Sequence, residues 1–264
     1  MVHRFRSLTQ IIDLKSLLIS GLAVLSTWLC LRFNIVADFP LTLIATAVVF
    51  PLVFSISTAY RRRDSALEEY ASIKAHSRAL YLAARDWRPN DGDADRAATV
   101  KAILREMLQS CHDMFTNPIS EMDRYEPRIH RTFSDLSLFV EGMRDNGLAA
   151  NEISRCNQYL SRMALAFEKL KHIYEYRTPR TLRAFSTFFI FVLPILYGPY
   201  FAYQAGQQAS WLFFITPVLF VLILVGLANI QDHLENPFDQ IGADDVAINA
   251  EKFIASLDVA RDRP

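Results

Sequence analysis

Four long apolar stretches lie along this chain in two pairs, with a polar segment between the pairs. They cover residues 14–31, 39–60, 184–203 and 211–230, and Lys15 is the only charged residue inside them. A helix of about 20 apolar residues spans the roughly 30 Å hydrocarbon core of a bilayer. The pattern therefore predicts an integral membrane protein with four transmembrane helices.

Basic residues flank the same side of both pairs, whereas the turns within the pairs carry few charges. They are Arg4, Arg6, Lys15, Arg61, Arg62, Arg63, Arg177, Arg180 and Arg183. Lys and Arg remain on the cytoplasmic side of a membrane, which predicts a multi-pass topology with both termini and the central segment in the cytoplasm. The cell inner membrane is the expected location. The first stretch is long for a signal peptide, and no small-residue cleavage site follows it.

The central segment has the periodicity of amphipathic helices, and strand patterns are absent. Apolar and small residues recur every three or four positions at Leu67, Tyr70, Ile73, Ser77, Leu80 and Ala84. This pattern predicts that the second span continues as one helix into the polar segment, and further helices are predicted at 97–115, from Pro127 to about 145, and at 151–174.

The predicted fold is therefore all-α. It is divided into residues 1–60 with the first two spans, a cytoplasmic helical region at 61–183, the last two spans at 184–230 and a cytoplasmic C-terminal segment at 231–264.

Composition excludes several classes of function. The 264 residues include 28 basic and 28 acidic side chains, and this zero net charge argues against a nucleic-acid partner. Cys30, Cys111 and Cys156 lie far apart, so they form no metal or redox motif and are expected to be reduced thiols. Phosphate loops, nucleophile elbows and paired metal-binding histidines are absent, which argues against an enzyme.

One face of the second span combines hydroxyl groups with aromatic rings. Thr46, Phe50, Phe54 and Thr58 recur every four residues and so share a helix face, and Pro51 is expected to bend or unwind the helix beside them. The positive edges of aromatic rings can accompany an anion, and phenylalanine rings can gate a pore by dewetting. The alternative is that Phe50 and Phe54 face lipid or a neighbouring helix.

An acidic run follows the fourth span and suggests a second kind of site. It comprises Asp232, Glu235, Asp239, Asp244 and Asp245. Carboxylates on an irregular loop suit Ca²⁺, which takes six to eight oxygen ligands, although the spacing is not that of an EF-hand. The alternatives are an acidic helix cap and a salt-bridged junction.

Three features together resemble the bestrophin family of ion channels. The first is the arrangement of paired spans around a helical insert. The second is the segment FSISTAYRRRDSA at 54–66, which is similar to the end of the pore helix in bacterial members. The third is Glu235-Asn236-Pro237-Phe238 with the acidic residues after it, which resembles the family's post-membrane Asn-Pro-Phe motif.

The resemblance implies a homo-pentamer in which the second span lines a central pore for chloride or other small anions. It places the pore neck at Thr46, Phe50 and Phe54, although a bulky apolar residue is usual where Thr46 stands. It also implies a second, cytoplasmic constriction near Leu160.

For the acidic run, the resemblance implies a calcium clasp built with the N-terminal backbone of a neighbouring subunit. The clasp would use Asp239, Asp244 and Asp245. The run is interrupted at 240–243 and is less acidic than in calcium-gated members, so Ca²⁺ is a candidate ligand only. Two other functions fit the sequence: a cation-selective channel of the same fold, and a non-conducting membrane scaffold that binds a partner protein.

Overall fold

A computed structural model describes residues 13–87, 93–176, 180–205, 212–240 and 245–258. In these ranges the chain forms nine α-helices, one 3₁₀ turn at Ile119–Glu121 and no β-strand. The helices are α1 Leu14–Arg32, α2 Leu41–Asp86, α3 Asp93–Thr116, α4 Met122–Asp145, α5 Ala150–Glu175, α6 Arg180–Leu196, α7 Gly198–Ala205, α8 Leu212–Glu235 and α9 Ala250–Asp258. The predicted all-α fold is confirmed.

The chain divides into two compact units. Unit 1 comprises residues 1–61 and 178–235, and unit 2 comprises residues 62–177 and 236–264. The N-terminal part of α2 belongs to unit 1 and its C-terminal part to unit 2. Each unit is built around its own hydrophobic contacts.

Local signals set both ends of α1 in unit 1. The Asp13 carboxylate accepts a hydrogen bond from the Ser16 backbone N–H at 2.8 Å, and the Ser16 hydroxyl faces the Asp13 N–H at 3.4 Å, which makes a capping box. At the other end Asn34 adopts a left-handed conformation with φ 56°. The Ile35 N–H then reaches the Cys30 carbonyl at 2.8 Å, as in a Schellman cap. The apolar sequence and its caps therefore define this helix.

The helices of unit 1 share two small buried clusters. The first joins α1, α6 and α8 through Ile19, Ala23, Ile190, Val221, Val225 and Ala228. The second consists of Val48, Leu193, Tyr197, Phe201 and Leu224. Gly198 allows a close approach, because a Cβ at this position would collide with the Ser26 hydroxyl and lie 3.1 Å from the Cys30 sulfur.

The third apolar stretch, predicted as a single span, consists of two helices. Helix α6 ends at Leu196 and α7 begins at Gly198. Pro199 has no N–H to donate to the Ile195 carbonyl, which instead accepts a hydrogen bond from the Ser26 hydroxyl at 3.0 Å. The break therefore results from a proline, and a side chain of α1 compensates for the missing bond.

Three segments among the described residues are long and apolar enough to cross a membrane. They are Leu14–Arg32, Arg183–Ala205 and Phe214–Glu235. The second stretch of the sequence analysis, at 39–60, forms the start of α2 and is not among these three. The chain is therefore a helical membrane protein, and four spans remain a prediction.

Unit 2 packs the C-terminal part of α2 with α3, α4, α5 and α9 around one continuous core. The helix face anticipated on α2 is the face that packs inward: Tyr70, Ile73, Ser77, Leu80 and Ala84 are buried and Leu67 is half-buried. Helix α2 also runs without interruption through Pro51, so the chain does not unwind there. The prediction of one long helix is confirmed.

Helix α4 starts earlier than expected. The sequence suggested a start at Pro127, but the helix begins at Met122 and contains this proline. Met122 and Tyr125 pack against the core of unit 2, and this tertiary contact extends the helix beyond the proline. The other end agrees with the prediction, since Gly147 after the helix has a φ of 92° that suits glycine.

Candidate functional site

The unit 1 part of α2 has one buried face and one exposed face. Val48, Leu52, Ser55 and Ala59 are buried within unit 1. On the other face Phe50 is 60% exposed, Phe54 is 57% exposed, and the threonines at 46 and 58 are exposed as well. We call this exposed face, defined by Thr46, Phe50, Phe54 and Thr58, the α2 strip. The four-residue spacing places all four side chains together on it, as predicted.

Each side chain of the α2 strip has contacts within the strip or its own helix. The rings of Phe50 and Phe54 pack edge to face, with centroids 4.7 Å apart and an interplanar angle of 84°. The Thr46 hydroxyl donates to the Thr42 carbonyl at 2.6 Å, and the Thr58 hydroxyl donates to the Phe54 carbonyl at 2.9 Å. The strip therefore exposes two aromatic rings and two threonine side chains, and neither threonine directs its O–H outward.

The sequence left three environments open for Phe50 and Phe54: a pore, lipid or a neighbouring helix. The exposure of the α2 strip argues against a neighbouring helix of the same chain. Side chains that are more than half exposed are not covered by another described helix of the same chain. Because an exposed pair of phenylalanines is costly in water, the strip is a candidate surface for contact with lipid or with a second copy of the protein, or for lining a narrow passage.

The arginines at the end of this segment have different environments. The Arg62 guanidinium donates to the Ile173 carbonyl at 2.6 Å, which satisfies a backbone acceptor in the last turn of α5. Arg63 is half-buried and has contacts of its own. Arg61 is exposed. Of the three, Arg61 therefore has the most solvent-accessible side chain.

Leu160 is not fully exposed on α5. It is half-buried and packs against the core of unit 2, on the face that also carries Cys156 and Met163. Leu165 is the more accessible apolar side chain of this helix, at 58% exposure, and the sequence analysis missed it. Its exposure could have been predicted from the sequence, because the polar residues Arg162 and Lys169 lie one helical turn before and after it.

The acidic run is only partly described. Asp244 and residues 1–12, which an intersubunit calcium clasp would need, lie outside the described residues. Asp239 and Asp245 are both half-buried and have partners. Within the described ranges, no three His, Cys, Asp or Glu side chains are arranged to hold a metal. Calcium binding therefore stays a prediction.

Glu235, at the start of this run, has a structural partner instead. Its side chain is 4% exposed and forms an ion pair with Arg183 within unit 1. A buried carboxylate needs such a partner, because removing its charge from water costs roughly several kcal/mol. This contact matches the salt-bridged junction considered as an alternative for the acidic run.

The Asn-Pro-Phe motif anchors the segment that follows α8. Phe238 is buried and stacks on Phe115 of the unit 2 core, with ring centroids 4.8 Å apart and an interplanar angle of 18°. The Pro237 carbonyl accepts a hydrogen bond from the Val246 N–H at 2.7 Å and so closes the loop. The motif therefore has a packing role in unit 2.

The three cysteines are free thiols, as expected from their spacing. Burial raises the pKa of Cys111 to about 12 and that of Cys156 to about 11. Both thiols are thus neutral at physiological pH and behave as small apolar side chains of the core.

Comparison with known proteins gives a consistent picture of the fold. No model of a protein family matches the sequence, and no curated protein matches it. Solved structures do match. A variant of a bacterial bestrophin homologue from Klebsiella pneumoniae has a TM-score of 0.70 at 18% identity, over 97% of this chain and 98% of that chain. A second variant of that homologue matches over 100% of both chains, with a TM-score of 0.69 and 17% identity.

A third structure, described only as a membrane protein, has a TM-score of 0.71 at 16% identity, over 97% of this chain and 98% of that chain. These likenesses cover both units. The chain, already identified as a helical membrane protein, therefore has the bestrophin fold, and the resemblance noted in the sequence is confirmed at the level of the fold.

Proposed function

We propose that this protein is an ion channel that conducts chloride or other small anions passively through a central pore. The pore is lined by α2 and is formed by several copies of the chain, five in the assembly that the resemblance implies. The observation that carries the proposal is the α2 strip, a pair of packed phenylalanines more than half exposed between two threonines. The bestrophin fold supports the same conclusion.

The α2 strip suits the neck of such a pore. Around a symmetry axis, the rings of Phe50 and Phe54 from each copy would form two apolar rings of side chains, with Thr46 at the outer end. Apolar constrictions of this kind stop ion flow by excluding water, and a small widening admits it. Because Phe50 and Phe54 pack edge to face, rotation of one ring changes its contact with the other.

Two features favour anions. The edge of an aromatic ring carries partial positive charge and can face an anion without a fixed ion pair. Arg61 is exposed just beyond the strip, and a ring of such arginines would raise the local anion concentration at the inner mouth. Leu160 or the more exposed Leu165 would then belong to a second constriction on the cytoplasmic side.

A cation-selective channel of the same fold is the second candidate, and one observation favours it. The hydroxyl protons of Thr46 and Thr58 are both donated to backbone carbonyls, so these side chains offer lone pairs to the pore. Lone pairs attract cations. Selectivity thus depends on whether Arg61 and the ring edges outweigh the two threonine oxygens.

The proposal includes a topology. Four spans with both termini and unit 2 in the cytoplasm follow from the distribution of basic residues, and the cell inner membrane is the corresponding location. Asp239, Asp244 and Asp245 remain candidates for a calcium clasp at the subunit boundary.

The experiment is the reversal potential of the purified protein in a planar bilayer under a KCl gradient. A shift toward the chloride equilibrium potential is the expected result. A shift toward the potassium potential supports the second candidate. Silence from protein shown to be inserted, together with a monomeric mass in mild detergent, would overturn both candidates and favour a non-conducting scaffold.

A further inference from the structure

Unit 2 contains a surface cavity that the proposed channel does not use. It lies between the C-terminal part of α2 and helix α9, and its volume is about 360 Å³. This volume falls within the range of about 300–1,000 Å³ found for small-molecule sites. All the residues that line it belong to unit 2.

The lining of this cavity is basic. Lys74 and Arg78 enter it from α2 and Lys252 enters it from α9, and none of the described lining residues is acidic. Glu251, the neighbour of Lys252, reaches instead to Arg105 at 3.1 Å. Three positive charges thus share one small volume without a carboxylate among them.

Two of the cations are held in place by aromatic rings. The Lys74 ammonium lies 4.5 Å from the centroid of the Tyr70 ring, and the Arg78 guanidinium lies 5.9 Å from that of Phe253. Arg78 also donates to the Ser256 hydroxyl at 2.9 Å. Both rings are buried. The cations are therefore positioned at the cavity wall before any ligand arrives, which lowers the entropic cost of binding.

The N-terminus of α9 adds to the positive electrostatic potential of the cavity. Asn249 lines the cavity and caps the helix, since its side-chain oxygen accepts from the Lys252 N–H at 2.8 Å. Backbone N–H groups at a helix start carry partial positive charge and bind anions. This contribution alone would not define a site, but here it coincides with the three cationic side chains.

We propose that this cavity binds a phosphate group, as a phosphomonoester or a pyrophosphate. A phosphate monoester carries about −1.5 to −2 charges at pH 7, which a cluster of cations can balance better than a singly charged carboxylate. The planar guanidinium of Arg78 matches two phosphate oxygens, and the lysines act as point charges around it. The phosphate belongs either to a soluble metabolite or to a lipid headgroup.

A bound phosphate would join α9 to α2. Lys252 belongs to α9 and the other two cations belong to α2, so one anion that contacts all three links the two helices. Because such a ligand binds the folded unit and not the unfolded chain, it stabilises the fold by mass action. Binding is thus measurable without any ionic current, and the proposal does not depend on the channel.

The first test uses isothermal titration of pyrophosphate into the full-length protein in a neutral detergent, with the shift in melting temperature as a second readout. Lys74→Ala and Lys252→Ala are each expected to weaken binding by about tenfold or more, which corresponds to the loss of one charged hydrogen bond. Arg128→Ala is the matched control, because Arg128 is an exposed cation on α4 outside the cavity. The control variant should bind pyrophosphate like the wild type.

A second arm distinguishes the two sources of phosphate. The same proteins are reconstituted in nanodiscs that contain either phosphatidylcholine alone or phosphatidylcholine with phosphatidic acid, and retention of phosphatidic acid is measured. Binding of pyrophosphate that is lost in the two lysine variants indicates a soluble ligand. Retention of phosphatidic acid that is lost in the same variants indicates a lipid headgroup.

The proposal is overturned if neither probe binds the wild-type protein. It is also overturned if Lys252→Ala, a change at an exposed side chain, binds both probes as tightly as the wild type.

Discussion

The two units of this chain bury their apolar side chains to very different extents. Among the described residues, only four large apolar side chains of unit 2 are exposed: Ile119, Leu138, Leu165 and Tyr176. Unit 1 exposes many more, on all three of its membrane-length segments and on α2. Unit 2 therefore completes its core within one chain, whereas unit 1 needs lipid or further copies of the protein to cover it.

Helix α2 shows this difference within a single element. In unit 2 its buried face combines large side chains such as Tyr70 and Leu80 with small ones such as Ala66 and Ser77. In unit 1 the buried residues among the described side chains of α2 are Val48, Leu52, Ser55 and Ala59, none of them aromatic, while Phe50 and Phe54 are exposed. Small residues allow close packing between helices in a membrane, where burying apolar area gives no driving force. The exposed rings of Phe50 and Phe54 are therefore not part of the packing within unit 1.

The largest effect is expected in the core of unit 2. Phe115 is buried and contacts the rings of Phe167, Tyr174 and Phe238. Phe115→Ala leaves a cavity and should lower the free energy of unfolding by about 3–5 kcal/mol. This loss is measured by denaturant unfolding in detergent. The reactivity of the Cys111 thiol reports unfolding, because this thiol is buried in the same core. A loss below about 1 kcal/mol, as small as that of a surface substitution, would contradict the assigned packing.

An intermediate effect is expected where α1 meets α7 in unit 1. Gly198→Ala places a Cβ against the Ser26 hydroxyl and the Cys30 sulfur, so either the hydroxyl must leave the Ile195 carbonyl or the two helices must move apart. Overpacking of this kind costs about 1–3 kcal/mol. The melting temperature in detergent should fall. Gly142→Ala is the control, since a Cβ at Gly142 meets nothing within 4 Å, and this variant should be at least as stable as the wild type because alanine favours the helix more than glycine does.

A smaller effect is expected at an ion pair on the surface of unit 2. The Lys171 ammonium lies 2.6 Å from a Glu126 carboxylate oxygen. Glu126→Gln removes this pair and should cost at most about 1 kcal/mol, because such pairs are partly solvated. A double-mutant cycle with Lys171→Met measures the coupling. A coupling of zero would show that solvent already screens the pair.

The pH dependence of this pair has a defined sign. The hydrogen bond from Lys171 lowers the pKa of Glu126 below its ordinary 4.5, so the contribution of Glu126 is complete above about pH 4.5 and is lost as the pH falls through the lower folded value. The hydrogen bond to Glu126 raises the pKa of Lys171 above 10.5, so its contribution is complete below that pH and is lost as the pH rises further. His130 also contacts the Glu126 carboxylate, with its Nε2 at 3.2 Å, so the comparison is made with His130→Ala in both proteins. In that background the difference in stability between the Glu126 protein and Glu126→Gln should be constant between these two limits and shrink outside them.

The smallest effect on stability is expected at the α2 strip, together with the clearest effect on current. Phe50→Ala with Phe54→Ala removes exposed rings and should change the free energy of unfolding by about 0.5 kcal/mol or less. In a bilayer the same variant should raise the open probability several-fold, because it would widen the proposed apolar neck. Leu138→Ala, at an exposed apolar side chain of unit 2, is the control for nonspecific effects. An unchanged current would remove the assigned role of the strip.

Much of the fold could be predicted because its signals are local. The limits of α1 follow from Asp13 and from the end of the apolar run, and the length of α2 follows from the absence of breakers between Pro51 and Pro89. The α2 strip could also be predicted, since a spacing of four on a helix fixes which side chains share a face. The start of α4 could not, because packing of Met122 against the core extends the helix beyond Pro127.

The sequence by itself determined the helical class, the membrane location and the face of α2 that carries Phe50 and Phe54, because periodicity and hydropathy are properties of neighbouring residues. Only the tertiary structure decided which residues distant in the chain meet. It joined Arg62 to the Ile173 carbonyl, stacked Phe238 on Phe115, and brought Lys252 to the cavity that Lys74 and Arg78 also line. Such contacts depend on how helices pack, and packing is set by the fit of many side chains at once.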